Sequence, residues 1–215
     1  MTVLSIVIVD DHAVVRRGIR AQLESQKGWK VVAEATTGRE AVAAARRLKP
    51  DIVVMDLSLP ELNGLDATRQ IEKELPRTEV LVLTMHHSEA MAREVLQAGA
   101  RGYVLKSDAD ADLIAAVESL RQHRPFLTSQ VTEFVLDDYL RRGEEREAPQ
   151  PAVTPREREI IQLVAEGNSS KEVATALGLS VKTIEAHRAN LMRKLHLRSV
   201  TDLVRYAIRN NIIQP

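Results

Sequence analysis

Residues 5–19 read SIVIVDDHAVVRRGI. Ile6 to Val9 is an unbroken apolar run, the pattern of a strand buried on both faces. Asp10 and Asp11 follow at once. Adjacent carboxylates repel each other and resist burial, so their place at the end of an interior strand needs an explanation.

Four more strand-like runs follow IVIVD (6–10): KVVAEA (30–35), DIVVMD (51–56), EVLVLT (79–84) and GYVLK (102–106). Between them apolar residues recur three or four apart, as in Val15, Ile19 and Leu23, or Leu113, Val117 and Leu120, with Pro50, Asn63-Gly64, Pro76 and Gly99 at the joints. Alternating strands and helices with apolar strands predict an α/β doubly wound, five-stranded parallel sheet covered by helices on both faces. An antiparallel arrangement would show period-two alternation, and these runs do not.

The pattern changes after Arg121. Residues 129–142 have helical spacing at Val131, Val135 and Tyr139, and RRGEEREAPQPA (141–152) is charged and aperiodic. From Thr154 on, each helix start carries a capping residue: Thr154 with Pro155 and Glu157, Ser169 with Glu172, Ser180, and Ser199 with Asp202. Leu179 and Ile184 are placed as a hydrophobic staple across the third of these starts. The expected organisation is a domain over 1–122, a linker with a connecting helix over 123–152, and a small all-α, four-helix domain over 153–215.

Composition narrows the classes. Aromatics are 3% of the 215 residues, so the cores are aliphatic, and the absence of cysteine excludes disulfides and thiolate metal sites. The apolar runs are strand-sized and the start has no signal-peptide pattern, so the expectation is a cytoplasmic protein with no membrane partner. Zero net charge hides an asymmetry. Residues 1–122 hold 16 Lys/Arg against 18 Asp/Glu, whereas residues 153–215 hold 10 against 6, a net +4 that points toward a polyanion.

In a sheet of order 2-1-3-4-5 the crevice opens at the carboxyl ends of strands 1 and 3. Asp10 and Asp11 end strand 1 and Asp56 ends strand 3, so three carboxylates converge. Only a hard divalent cation is expected to make such a cluster stable at neutral pH, and oxygen-only ligands with room for water suit Mg²⁺. Thr84 and Lys106 end strands 4 and 5 on the same crevice. Carboxylates, hydroxyl and ammonium together make a site for a phosphoryl group.

The motifs IVDDH, VVMDLSLPELNG, LTMH and GYVLK resemble the receiver domain of two-component response regulators over essentially all of residues 1–122. The resemblance implies that Asp56 accepts a phosphoryl group from a sensor histidine kinase. It implies that Asp11, Asp56 and the Ser58 carbonyl hold Mg²⁺ with Asp10 acting through water, that Lys106 and Thr84 contact phosphoryl oxygens, and that Tyr103 turns inward when Thr84 moves. Ser58 and His86 would flank the line of water attack and tune dephosphorylation. Singly, each residue has an ordinary reading: Asp10 or Asp11 as a helix cap, Thr84 as a strand-end hydroxyl, Tyr103 as an edge aromatic. Their joint placement at the ends of four strands is the specific signal. His12 reads as a packing or polar residue of the first helix rather than a metal ligand. Met85 is bulkier than the residue many receivers carry there.

SSKEVATALGLSVKTIEAHRANLMRKL (169–195) has a short helix, a turn at Gly178 and a longer helix, the helix-turn-helix arrangement whose second helix enters the major groove of double-stranded DNA. On it Ile184, Leu191 and Leu195 form the inner stripe. An αα-hairpin for protein contacts has the same outline, but the basic balance and the small Ala residues favour DNA. From 153 to about 213 the chain also resembles the LuxR-type helix-turn-helix of the NarL/FixJ group of response regulators. That implies DNA contacts by Lys182, Thr183, Glu185, Ala186, Arg188, Ala189 and Arg193, and a homodimer on promoter DNA through the last helix, Thr201 to Asn210, with RNA polymerase as a further partner. The expected function is a transcription regulator, not an enzyme. A haloacid-dehalogenase-type phosphohydrolase would carry D-x-D on strand 1, whereas this chain has adjacent Asp10 and Asp11 there. A phosphorylation-independent regulator with a vestigial receiver would lack the intact Asp11, Asp56, Thr84 and Lys106 set.

Overall fold

The computed structural model describes residues 3–85, 88–128, 131–133, 153–210 and 212–213. It divides into two compact units, residues 1–145 and 146–215. The first is built from β1 (Leu4–Val9), α1 (Ala13–Glu24), β2 (Trp29–Ala35), α2 (Gly38–Leu48), β3 (Ile52–Met55), α3 (Gly64–Glu74), β4 (Glu79–Thr84), α4 (Glu89–Gln97), β5 (Gly102–Leu105), a 3-10 turn (Lys106–Asp108), α5 (Ala109–Arg121) and β6 (Phe126–Leu127). The sheet is parallel throughout, in the order β2-β1-β3-β4-β5-β6.

Alternation along the strands explains the double winding. Val7, Val9, Val53, Met55, Val80, Val82 and Tyr103 face one way and pack with α2, α3 and α4. Ile6, Ile8, Ile52, Val54, Leu81, Leu83 and Val104 face the other and pack with Ile19 and Leu23 of α1 and Leu113, Val117 and Leu120 of α5. A strand with a core on each face must be apolar at every position, which is the run read in the sequence. Truncating one such residue, Ile8→Ala for example, removes a fully buried side chain and costs about 2–5 kcal/mol.

The sheet has six strands where five were expected. Phe126 and Leu127, inside the stretch read as linker, pair in parallel with Gly102 and Tyr103. Two residues have no periodicity to detect, and Pro125 before them reads as a breaker. β2 is an edge strand and only partly apolar; its Glu34 pairs with Arg16 and Arg20 of α1. Of the connecting helix expected over 129–142, residues 131–133 are helical, Val131 is buried, and 129–130 and 134–142 lie outside the described residues.

The second unit holds α6 (Pro155–Ala165), α7 (Ser170–Leu177), α8 (Val181–Lys194) and α9 (Val200–Arg209). Thr154 and Ser169 form full capping boxes with Glu157 and Glu172. The Ser180 and Ser199 side chains accept the backbone N–H of Thr183 and Asp202. Gly178 ends α7 at φ +64°, a left-handed cap that suits glycine and makes the sharp turn into α8. Ile160, Ile161, Leu163, Val173, Ile184, Leu191, Leu203 and Ala207 form the core. Among the described residues no helix is long and apolar enough to cross a membrane.

Candidate functional site

Strand register assembles the crevice. Val9 lies opposite Met55 in the β1–β3 pair, so the next residues, Asp10 and Asp56, leave the sheet side by side. Thr84 lies opposite Leu105 in the β4–β5 pair, so Lys106 emerges one residue beyond the Thr84 level. Asp10 is 1% exposed, Asp56 3% and Thr84 is fully buried.

The Lys106 ammonium is the compensating charge that the two buried carboxylates require. Its Nζ lies 2.7 Å from Asp10 Oδ2 and 2.7 Å from Asp56 Oδ2. Burial works to lower the ammonium, but Asp56 and Asp10 outweigh it and Lys106 is raised above its ordinary value. Asp56 is also raised: burial is the main cause, Asp10 adds to it, and Lys106 and the Ser58 N–H oppose it. The Leu57 N–H donates to Asp56 Oδ1 at 2.7 Å. Burial alone pushes the Tyr103 phenol up to about 12.

The donor set tests whether a divalent cation fits here. Asp10 Oδ2 is buried and meets the Lys106 ammonium at 2.7 Å, with a second lone pair to offer. An acceptor held in that condition has capacity left for a cation. Ligand atoms of Asp10, Asp11, His12 and Asp56 lie within 4.8 Å of one another. The oxygen-rich set suits a hard ion with water in its remaining positions.

Around this crevice the side chains fall as follows. Tyr103 sits inward, in the core beneath the site, because it alternates with Val104 on β5. Ser58 is partly buried beside Asp56. Met85 is 67% exposed. His86 lies outside the described residues. His12 does not pack in α1. Its ring is exposed, with Nδ1 2.6 Å from Asp11 Oδ1.

Two supports escaped the sequence reading. Gly64 opens α3 directly over Asp56, where a Cβ would come within 1.9 Å of the Asp56 carbonyl oxygen, so only glycine fits. Asn63 caps the same helix by accepting the Asp66 N–H, and its amide donates to buried Asp66, which also accepts from Arg69. The Asn-Gly pair was read as a joint. Its position just after an acid-bearing strand was the available signal.

In the second unit Lys182, Glu185, Ala186, Ala189 and Arg193 are exposed on α8, opposite buried Ile184 and Leu191. Arg193 donates to Asn190 one turn back. Thr183 is partly buried and its hydroxyl lies 2.7 Å from that of Ser180. Arg188 is partly buried as well and donates to Ser170 Oγ at 2.7 Å, which braces α8 against the start of α7. The sequence reading did not anticipate that brace, since the partner lies 18 residues away with no local spacing to reveal it.

A family model described as response regulator receiver domain matches residues 6–118, and one described as bacterial regulatory proteins, luxR family, matches residues 151–207. Oxygen regulatory protein NreC of Staphylococcus epidermidis is 37% identical over 217 residues, covering 98% of this chain and 100% of that protein. Among solved structures, the RcsB response regulator of Salmonella typhimurium is 30% identical with a TM-score of 0.59, covering 96% of this chain and 98% of that one. A structure titled as the RcsB–DNA complex is 27% identical with a TM-score of 0.60, covering 97% and 99%. Receiver crevice and helix-turn-helix thus occur here in one chain, as they do along the whole length of these relatives, and the protein belongs to the two-component response regulators with a LuxR-type DNA-binding domain.

Proposed function

We propose that Asp56 is the phosphoacceptor and that its phosphorylation controls dimerisation and promoter binding. The observation that carries this is the Lys106 ammonium shared between Asp10 and Asp56 at 2.7 Å each, with Thr84 on the neighbouring strand. A carboxylate oxygen of Asp56 attacks phosphorus in line, and the bond from phosphorus to the imidazole nitrogen of a sensor histidine kinase breaks. The imidazole keeps the electron pair. Lys106 then neutralises phosphoryl oxygens and the Thr84 hydroxyl donates to one of them. Mg²⁺ held by Asp11, Asp56 and the Ser58 carbonyl, with Asp10 through water, would offset the negative charge that gathers on those oxygens. Movement of Thr84 toward the phosphoryl group changes the space beside Tyr103 and biases the receiver surface between two states.

Lys182 and Arg188 contact phosphates or bases, Arg193 is a further contact on the exposed face of α8, and Glu185, Ala186 and Ala189 face base edges. Thr183 meets the backbone, and Arg188 has donors beyond the one given to Ser170. A net charge of +4 on residues 153–215 offers few phosphate contacts, so tight binding calls for a homodimer on an inverted repeat, joined through α9. RNA polymerase at the promoter and a cytoplasmic location belong to the same reading. The test is labelling with acetyl phosphate or a histidine kinase in Mg²⁺, followed by promoter binding. One phosphoryl group should enter and DNA affinity should rise, and unaltered affinity after full labelling would reject the control.

A further inference from the structure

The receiver's first helix begins on a histidine where a capping side chain would be expected. His12 holds the N-cap position of α1 with extended backbone (φ −89°, ψ 108°), and its side chain makes no cap hydrogen bond. The ring instead turns back to the crevice, with Nδ1 2.6 Å from Asp11 Oδ1 and 3.5 Å from Asp10 Oδ1. The His12 backbone N–H donates to the same Asp10 Oδ1 at 2.8 Å. The turn presenting the imidazole is therefore built on the buried carboxylate of the site. Beside it lies Asp10 Oδ2, buried and 2.7 Å from the Lys106 ammonium.

Burial divides the four groups usefully. Asp10 and Asp56 are fixed in the interior, whereas the His12 side chain is 68% exposed and that of Asp11 36%. Two exposed groups adjust at small cost. Neighbouring ligands of an octahedral ion with bonds near 2.1 Å stand roughly 3 Å apart. Here Nδ1 stands 2.6 Å from Asp11 Oδ1, a hydrogen-bond distance, so ligation would release the Nδ1 proton to solvent and part the two atoms to that spacing.

We propose that His12 Nδ1 is a nitrogen ligand of the ion in this crevice, so that the site takes Mn²⁺ and later first-row divalent ions more tightly than oxygen donors alone would. The inference rests on the reading of the crevice as a Mg²⁺ site and extends it. Imidazole suits the transition ions, for which affinity rises from Mn²⁺ toward Cu²⁺. Mg²⁺ prefers oxygen and gains little from it.

The experiment uses the full chain, stripped with chelator and titrated with Mn²⁺ alone. Electron paramagnetic resonance counts free ion, and electron-spin-echo modulation reports nitrogen bonded to the bound ion. Wild type should bind Mn²⁺ with the ¹⁴N modulation of a coordinated imidazole. His12→Ala should lose the modulation and weaken Mn²⁺ by about five-fold, with Mg²⁺, measured by competition, changed by less than about two-fold. His12→Gln, which keeps a hydrogen-bonding side chain but no imidazole, should behave as His12→Ala does. Binding of both ions by wild type without nitrogen modulation overturns this inference alone, as does modulation that survives in His12→Ala. An equal effect of His12→Ala on Mg²⁺ and Mn²⁺ also rejects it, because His12 would then only support Asp11. Failure of wild type to bind either ion overturns the Mg²⁺ reading and this inference together.

Discussion

The receiver crevice and the helix starts of the DNA-binding unit use carboxylates in opposite ways. In the receiver, Asp10 and Asp56 are buried, and burial holds Asp56 above its ordinary value. In the DNA-binding unit, Glu157, Glu172 and Asp202 stand at helix starts and are all lowered. Burial pulls Glu157 upward, but donation from Lys194 and Thr154 outweighs it; Ser169 lowers Glu172, and Ser199 with the Arg198 N–H lowers Asp202. A carboxylate at a helix start stabilises the fold in its charged form. A buried one opposes the fold until a cation joins it. The raised Asp56 belongs to the chemistry, and the lowered acids at these helix starts belong to the scaffold.

The largest test removes the raised acid. Asp56→Asn should abolish phosphoryl incorporation while leaving the metal-free receiver as stable as wild type or more so, because an ionised buried group disappears. Radiolabelling and urea titration read the two effects. A marked loss of stability would put Asp56 among the scaffold acids and break the contrast.

Removing the cation should do the reverse. Lys106→Met leaves two buried carboxylates uncompensated and should destabilise the receiver by about 3 kcal/mol at neutral pH. The sign of the pH dependence follows from the raised Asp56: the penalty is full while Asp56 is ionised and shrinks as pH falls through its folded value. Chemical denaturation at pH 7 and pH 5 measures this, and a pH-independent loss would mean that Lys106 acts by packing.

Glu185 belongs to neither class, being exposed and without a hydrogen bond or ion pair among the described residues. It is therefore free to accept from a cytosine amine. Glu185→Ala should relax preference at one base pair per half-site, costing roughly 1–3 kcal/mol on the preferred base. Titrations against operator variants decide it; a uniform shift at every site would exclude base readout.

The smallest effect lies in the scaffold. Glu157→Gln loses the ionised member of the capping box and the 2.7 Å tie to Lys194, at about 1 kcal/mol near neutrality. Because Glu157 is lowered on folding, its contribution is complete above the unfolded value near 4.3 and is lost as pH falls through the folded one. Thermal melts of variant and wild type should differ at pH 7 and draw together as pH falls below the unfolded value near 4.3.

The sequence made the crevice legible because strand ends can be read from apolar runs, and register does the rest: Asp10, Asp56, Thr84 and Lys106 each terminate such a run. Helix starts were legible through Thr154, Ser169, Ser180 and Ser199, whose partners lie three residues on. What escaped depended on contacts without local spacing. Ser170 reaches Arg188 across 18 residues. His12 turns its ring toward the carboxylates instead of into α1, which depends on a backbone turn and not on helical period. Gly64 looked like a joint until its closeness to the Asp56 carbonyl was visible.

β6 also bears on where the receiver can be cut. Without it, Gly102–Leu105 would be the outer strand of the sheet, a flat GYVL segment with a row of free N–H and C=O groups, which is a template for pairing with another copy. Phe126 and Leu127 cover half of that row, and Pro125 before them has no N–H to offer a further strand. A receiver fragment ending at 122, the boundary that composition suggests, should therefore self-associate on concentration. One ending at 133 should stay monomeric by light scattering.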